Sequence, residues 1–194
     1  MLAGAVATLA SAFIPATALA APDAPVSAGI FSANERRSLE AVVSRIIPAT
    51  PQGPGALEAG CARYIESSLA DAYRTLQATY RAGLAALDIE ANSLSGKSFA
   101  ALDVDQQDKI LSDFEHNTKI GDYAGSGAFF ELLRRHTLEG MFGDPAYGGN
   151  SDFAGWELIG YPGPRMFVKP EMQKMDAKIS PSHLSVKQMD HGSD

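Results

Sequence analysis

Along this chain apolar residues recur three and four positions apart, and almost nowhere at every second position. Leu39, Val42, Val43, Ile46 and Ile47 share one face of a helix, and so do Leu57, Cys61, Tyr64, Ile65, Ser68 and Leu69. The same spacing places Tyr73, Leu76, Tyr80, Leu84 and Leu87 together, and then Ile110, Leu111 and Phe114. That is the period of a helix with one buried face, and it leaves no alternating pattern from which to build a sheet. The predicted fold class is all-α, a small helical bundle carrying a glycine- and aromatic-rich C-terminal loop and an extended tail. A chain of 194 residues is long enough for one domain with a real core.

Local signals mark where the helices start and stop. Ser32 followed by Glu35 has the capping-box spacing, in which each side chain satisfies the other's backbone N–H. Pro48 ends the first helix, and Pro48 to Gly55 is a loop by composition. A second helical region is expected to open near Pro54, with a break around Ser67 to Asp71, and a third to run to a turn about Gly96. Asp103 and Gln106 repeat the cap signal, Glu115 to Gly127 reads as a polar loop, and a last helix spans about Ser126 to Met141, closed by Gly140 and Gly143.

The stretch from Gly140 to Gly163 holds seven of the eighteen glycines, the only tryptophan, and two of the six tyrosines. So many glycines do not suit a helix, and so many rings do not suit a flexible spacer. The expected result is a folded loop of fixed shape that presents or buries its rings. Within it, the run from Phe142 through Asp144, Pro145, Tyr147, Gly148 and Gly149 to Asn150 is followed by Gly155-Trp156 and by Gly160 to Gly163 with Tyr161. This combination resembles the signature of the gluconate 2-dehydrogenase subunit 3 family. The resemblance extends over most of the chain, to the opening helix with Ile46-Ile47-Pro48 and to Pro54-Gly55-Ala56.

The resemblance implies a non-catalytic small subunit with no redox cofactor of its own. Its partners would be a large flavoprotein subunit that holds FAD and oxidises a sugar or sugar acid, and a multihaem cytochrome c that passes electrons to the membrane. It further implies a role in maturing and exporting the flavoprotein, with membrane association only through partners. The rival reading from the residues is a stand-alone exported binding or structural protein that uses the loop.

Other features bear on export and on chemistry. Met1 to Ala20 is uncharged and Ala-rich and ends in Ala18-Leu19-Ala20, the pattern of a secretory signal peptide cut after Ala20. A membrane anchor is the competing reading, disfavoured by Pro15. The positive n-region and the twin-arginine pair common in the family are missing, so an upstream start is expected and the export route stays open. Residues 21–30 read as a linker, 31–163 as the helical domain, and 164–194 as a tail that is either unstructured or laid along a partner, with four of the six methionines. A net charge of −7 argues against nucleic acid and anionic membranes as partners. Cys61 stands alone, which rules out an internal disulfide, and is expected to be a small buried side chain.

No catalytic set emerges from the spacing. Glu131, His136 and Glu139 are read as a polar surface face, because a di-iron bundle would need Glu-x-x-His motifs that the chain lacks. His116, His183 and His191 have no metal spacing, and no nucleophile elbow is present. Asp144, Asn150 and Asp152 suit turn hydrogen bonds better than calcium. The residues expected to meet a partner are Phe142, Asp144, Pro145, Tyr147, Gly148, Gly149, Asn150, Trp156, Tyr161 and Met166, since aromatic residues and methionine are enriched at interface centres.

Overall fold

The computed structural model of the chain describes residues 29–116 and 123–189. The expected signal peptide, most of the linker, part of the polar loop after Glu115, and His191 lie outside the described residues. Among the described residues the structure is helical, with no strand. The helices are α1 (Ala33–Ile46), α2 (Cys61–Ala70), α3 (Gln77–Ser95), α4 (Val104–Glu115), α5 (Ser126–Phe142), α6 (Ala154–Ile159) and a short α7 (Val186–Met189). The all-α bundle expected from the periodicity is what forms.

Both sequence-level caps are made. The Ser32 Oγ accepts from the Glu35 backbone N–H at 3.2 Å while the Glu35 carboxylate accepts from the Ser32 N–H at 2.7 Å. Asp103 and Gln106 do the same at the start of α4. Each such cap contributes about 1 kcal/mol. Gly96 ends α3 in the left-handed conformation, with φ 69°.

The second helix starts later than expected. From Gly55 to Gly60 the chain makes turns, with the Ala59 N–H on the Gly55 carbonyl and the Gly60 N–H on the Leu57 carbonyl, both at 3.0 Å. Gly60 then takes φ 78°, which a right-handed helix does not admit, so α2 begins only at Cys61. Leu57, placed on the apolar face by a helical count, is consequently 42% exposed. Cys61 is buried, as expected for its position.

Helix α5 is the axis of the bundle. It packs against α1, α2, α3 and α4 and carries α6 at its C-terminal end. Phe129 sits where these helices meet. Its ring meets Tyr80 edge-on at 5.6 Å, and Phe114 and Tyr123 at 6.5 Å each. Each ring pair adds about 0.5–1.5 kcal/mol beyond the area it buries. Leu39, Val42, Val43, Ile65, Leu69, Leu84, Leu87 and Ile110 complete a continuous core. Fully burying one such side chain stabilises the fold by about 1.5–3 kcal/mol.

Candidate partner-docking surface

The segment after α5 folds as a small structured cap on the ends of α2 and α5. Asp144 opens it: one carboxylate oxygen accepts from the Ala146 N–H at 2.9 Å, and Pro145 begins a single 3-10 turn to Tyr147. Asn150 then turns the chain back. It is fully buried, at φ 44° and ψ 43°. Its backbone N–H donates to the Gly140 carbonyl at 2.7 Å. Its side-chain amide donates to the Gly143 carbonyl and its side-chain oxygen accepts from the Gly155 N–H, both at 2.8 Å. Asp144 makes the Asx turn expected of it, whereas Asn150 bonds backbone groups seven residues before and five residues after itself.

The loop backbone lies directly on α5. A Cβ at Gly149 would overlap the Gly140 carbonyl, and one at Gly155 would overlap the Met141 carbonyl, so only glycine allows this approach. A second set of ties reaches α2. The Arg63 guanidinium donates to the Gly148 carbonyl at 2.8 Å and to the Ser151 Oγ at 2.9 Å, and the Ser151 N–H donates to the Ala59 carbonyl at 3.0 Å. Asp152 and Phe153 also sit at positive φ, 54° and 60°. A non-glycine residue there costs about 1–2 kcal/mol, and the surrounding bonds hold it.

The rings divide between foundation and surface. Trp156 is buried; its indole N–H donates to the Phe142 carbonyl at 2.9 Å, and Tyr161 meets its ring edge-on at 4.9 Å. Phe142 is half-buried, while Tyr147 and Tyr161 are 57% and 40% exposed. Phe142, Asp144, Trp156 and Tyr161 line one groove of about 350 Å³ together with Ile159, Pro164 and Val186. Tyr147 stands apart under the Lys187 ammonium, 5.4 Å from its ring centre. Gly148, Gly149 and Asn150 hold the loop in place and line no part of that groove. Met166 is exposed on the tail beyond it.

The tail returns to the loop. The Ser182 N–H donates to the Pro162 carbonyl at 2.9 Å, and the Val186 N–H donates to the second Asp144 carboxylate oxygen at 2.9 Å. His183 pairs with Glu157 and packs its ring on Phe153.

The placement of His136 corrects the sequence reading. Glu131 is on the surface beside Arg134, but His136 is fully buried and Glu139 is partly buried. His136 lies seven residues after Phe129 and three after Leu133, on the buried stripe of α5, while Glu131 lies on the other side. Its ring stacks on Tyr73 at 4.4 Å and 6°, and the Tyr80 hydroxyl hydrogen-bonds its Nδ1 at 2.9 Å. The Tyr64 and Tyr73 hydroxyls donate to the Glu139 carboxylate at 3.0 and 3.3 Å. Burial lowers the His136 pKa, with the Glu139 carboxylate opposing and Arg135 reinforcing the shift. Burial pushes the Tyr64 phenol up to about 12. Three tyrosines on apolar faces, and a histidine in register with Phe129, were the signals for this cluster.

Among the described residues, no group of three or more His, Cys, Asp or Glu side chains is arranged to hold a metal ion, and no helix is long and apolar enough to cross a membrane. No curated protein and no solved structure matches the chain. The family model for gluconate 2-dehydrogenase subunit 3 matches residues 33–163, from the first residue of α1 to the glycine that closes the aromatic loop, and the chain belongs to that family.

Proposed function

We propose that this chain is the non-catalytic small subunit of a periplasmic, FAD-dependent gluconate 2-dehydrogenase-like complex, and that it binds the flavoprotein subunit and assists its maturation and export. The family match over residues 33–163 carries this reading, because the family is named for a subunit of a dehydrogenase complex. The groove beside Trp156 and the exposed side chains of Tyr147, Tyr161 and Met166 support it, since they offer apolar surface next to a rigid, hydrogen-bonded base. FAD resides on the large subunit in this reading, and a multihaem cytochrome c links the complex to the membrane.

The physical basis is linkage. A flavoprotein that takes up FAD in the cytoplasm must cross the membrane folded. A bound small subunit stabilises that folded state by mass action, and its N-terminal signal, expected at Met1 to Ala20, addresses the pair for export. The test is to produce the flavoprotein with and without this chain, separate periplasm from cytoplasm, and assay dye-linked sugar-acid oxidation in each. Activity is expected in the periplasm only when both are made. Equal periplasmic activity in the absence of this chain overturns the proposal. Should the purified chain remain a flavin-free monomer in its native host, the stand-alone binding protein replaces it.

A further inference from the structure

The tail contains an excursion that the protein's own fold does not use. Its two ends are tied together: besides the bond from Ser182 to Pro162, the Arg165 guanidinium donates to the Ser180 carbonyl at 2.6 Å. Between the ties the chain makes only short turns, with the Met172 N–H on the Lys169 carbonyl and the Ala177 N–H on the Lys174 carbonyl, at 3.0 and 3.1 Å. Met166, Phe167 and Val168 stand out of it 68%, 83% and 57% exposed, and Met175 is completely exposed. A phenylalanine so exposed, flanked by two further apolar side chains, makes no contribution to the core. A base closed by hydrogen bonds also lowers the ordering cost of placing these side chains on a partner.

Charge indicates what that partner offers. Residues 165–178 carry four cations, Arg165, Lys169, Lys174 and Lys178, against Glu171 and Asp176, a net of +2 (4 − 2) on a chain of net −7. The Nε of Arg165 is buried with no hydrogen-bond partner, and no carboxylate among the described residues pairs with that side chain. The residue as a whole is only half-buried, and a charge that meets no carboxylate among the described residues suits one supplied from outside, reached through the guanidinium's outer nitrogens rather than through the buried Nε. An anionic lipid surface fits less well, because the rest of the chain is strongly acidic and would be repelled. A second copy has the acidic surface, but an arm docked head to tail between copies closes only if a ring forms.

We propose that residues 165–180 are a docking arm that enters an apolar groove rimmed by carboxylates on the flavoprotein subunit. Phe167 is the buried anchor, and Arg165 takes a rim carboxylate. This rests on the proposed function and refines it: the glycine-aromatic loop is mainly a foundation, and the arm makes the decisive contact.

The experiment uses the full chain and the flavin protein that it captures in its native host, identified by flavin absorbance and dye-linked sugar-acid oxidation. Affinity of the purified pair is measured for the wild type, for Phe167→Asp, for the double reversal Lys169→Glu with Lys174→Glu, and for Ile89→Asp. Ile89 is an exposed apolar residue on α3 and serves as the control. Phe167→Asp is expected to weaken binding roughly thirty-fold or more, as loss of a central anchor does. The double reversal takes the arm from +2 to −2 (2 − 4), so it should slow association and invert its salt dependence, added salt now speeding association instead of slowing it. Ile89→Asp should bind like the wild type, and all variants should melt with the wild type because these side chains are exposed. Should Phe167→Asp bind the flavoprotein as tightly as the wild type, the arm inference falls and the proposed function stands. Should the wild type capture no flavoprotein, both fall. If Phe167→Asp instead abolishes self-association, or binding to phosphatidylglycerol vesicles, while leaving the flavoprotein affinity unchanged, the arm belongs to a second copy or to a membrane.

Discussion

His136 has no exposed surface, and its Nε2 meets no hydrogen-bond partner in the structure. Its Nδ1 is satisfied by Tyr80, and Tyr73 covers one face of the ring. A charged imidazole in this position would lack solvent on every side, so burial lowers its pKa; the Glu139 carboxylate opposes that shift and Arg135 adds to it. The sign of the pH effect follows from proton uptake. The unfolded chain binds a proton near pH 6.5, while the folded chain binds it only at lower pH. Unfolding is therefore favoured as pH falls below about 6.5, with a slope of at most about 1.4 kcal/mol per pH unit for one proton. Above that pH this group contributes no further change. Urea midpoints measured at pH 7.5 and 5.5 should show the wild type losing stability between them, and His136→Gln losing distinctly less. Equal losses in both proteins would assign the acid sensitivity to other groups.

At the scale of the element, the loop from Gly143 to Phe153 has no regular hydrogen-bond ladder and is held at a few points. Asn150 supplies the most: two side-chain bonds, one backbone bond to α5, and a backbone conformation that asparagine tolerates better than most residues. Asn150→Ala would leave the Gly155 N–H and the Gly143 carbonyl without the Asn150 side chain and put alanine, which tolerates the left-handed region less well than asparagine, at φ 44°. A loss of roughly 2–4 kcal/mol is expected, and thermal unfolding should drop by roughly 5–15 °C. Asn150→Gly keeps the conformation but not the bonds, and should fall about 1 kcal/mol short of the alanine loss. A melting temperature unchanged by the alanine variant would show that the loop is held by other means. Trp156 belongs to the same element. Its buried ring and its bond to Phe142 seat α6 on the end of α5, which explains why a tryptophan in a glycine-rich stretch faces inward.

At the scale of the whole molecule, the protein is a bundle around α5, a cap of loop and α6, and a tail that leaves the cap and comes back to it. Hydrogen exchange should reproduce that order. Amides in the buried turns of α5 are expected to exchange slowest, those of Ser182 and Val186 at an intermediate rate, and those of residues 166–179 fastest, since few of the latter are bonded. Protection of 166–179 equal to that of α5 in the isolated chain would contradict the tied-arm description. What the sequence determined by itself was local. Helical period, the two capping boxes, the break at Gly96 and the need for glycine near Trp156 all depend on residues a few positions apart, where sterics and short-range hydrogen bonds decide. The family was legible for the same reason, through a run of consecutive residues. Tertiary structure alone decided which aromatic rings face out, why the second helix waits for Cys61, and that His136 is buried. Each of those outcomes depends on neighbours remote in the chain, as when Tyr80 meets His136 or Ala59 binds Ser151. Burial is a sum over such neighbours, and the helical period fixes a residue's direction without saying what stands opposite it.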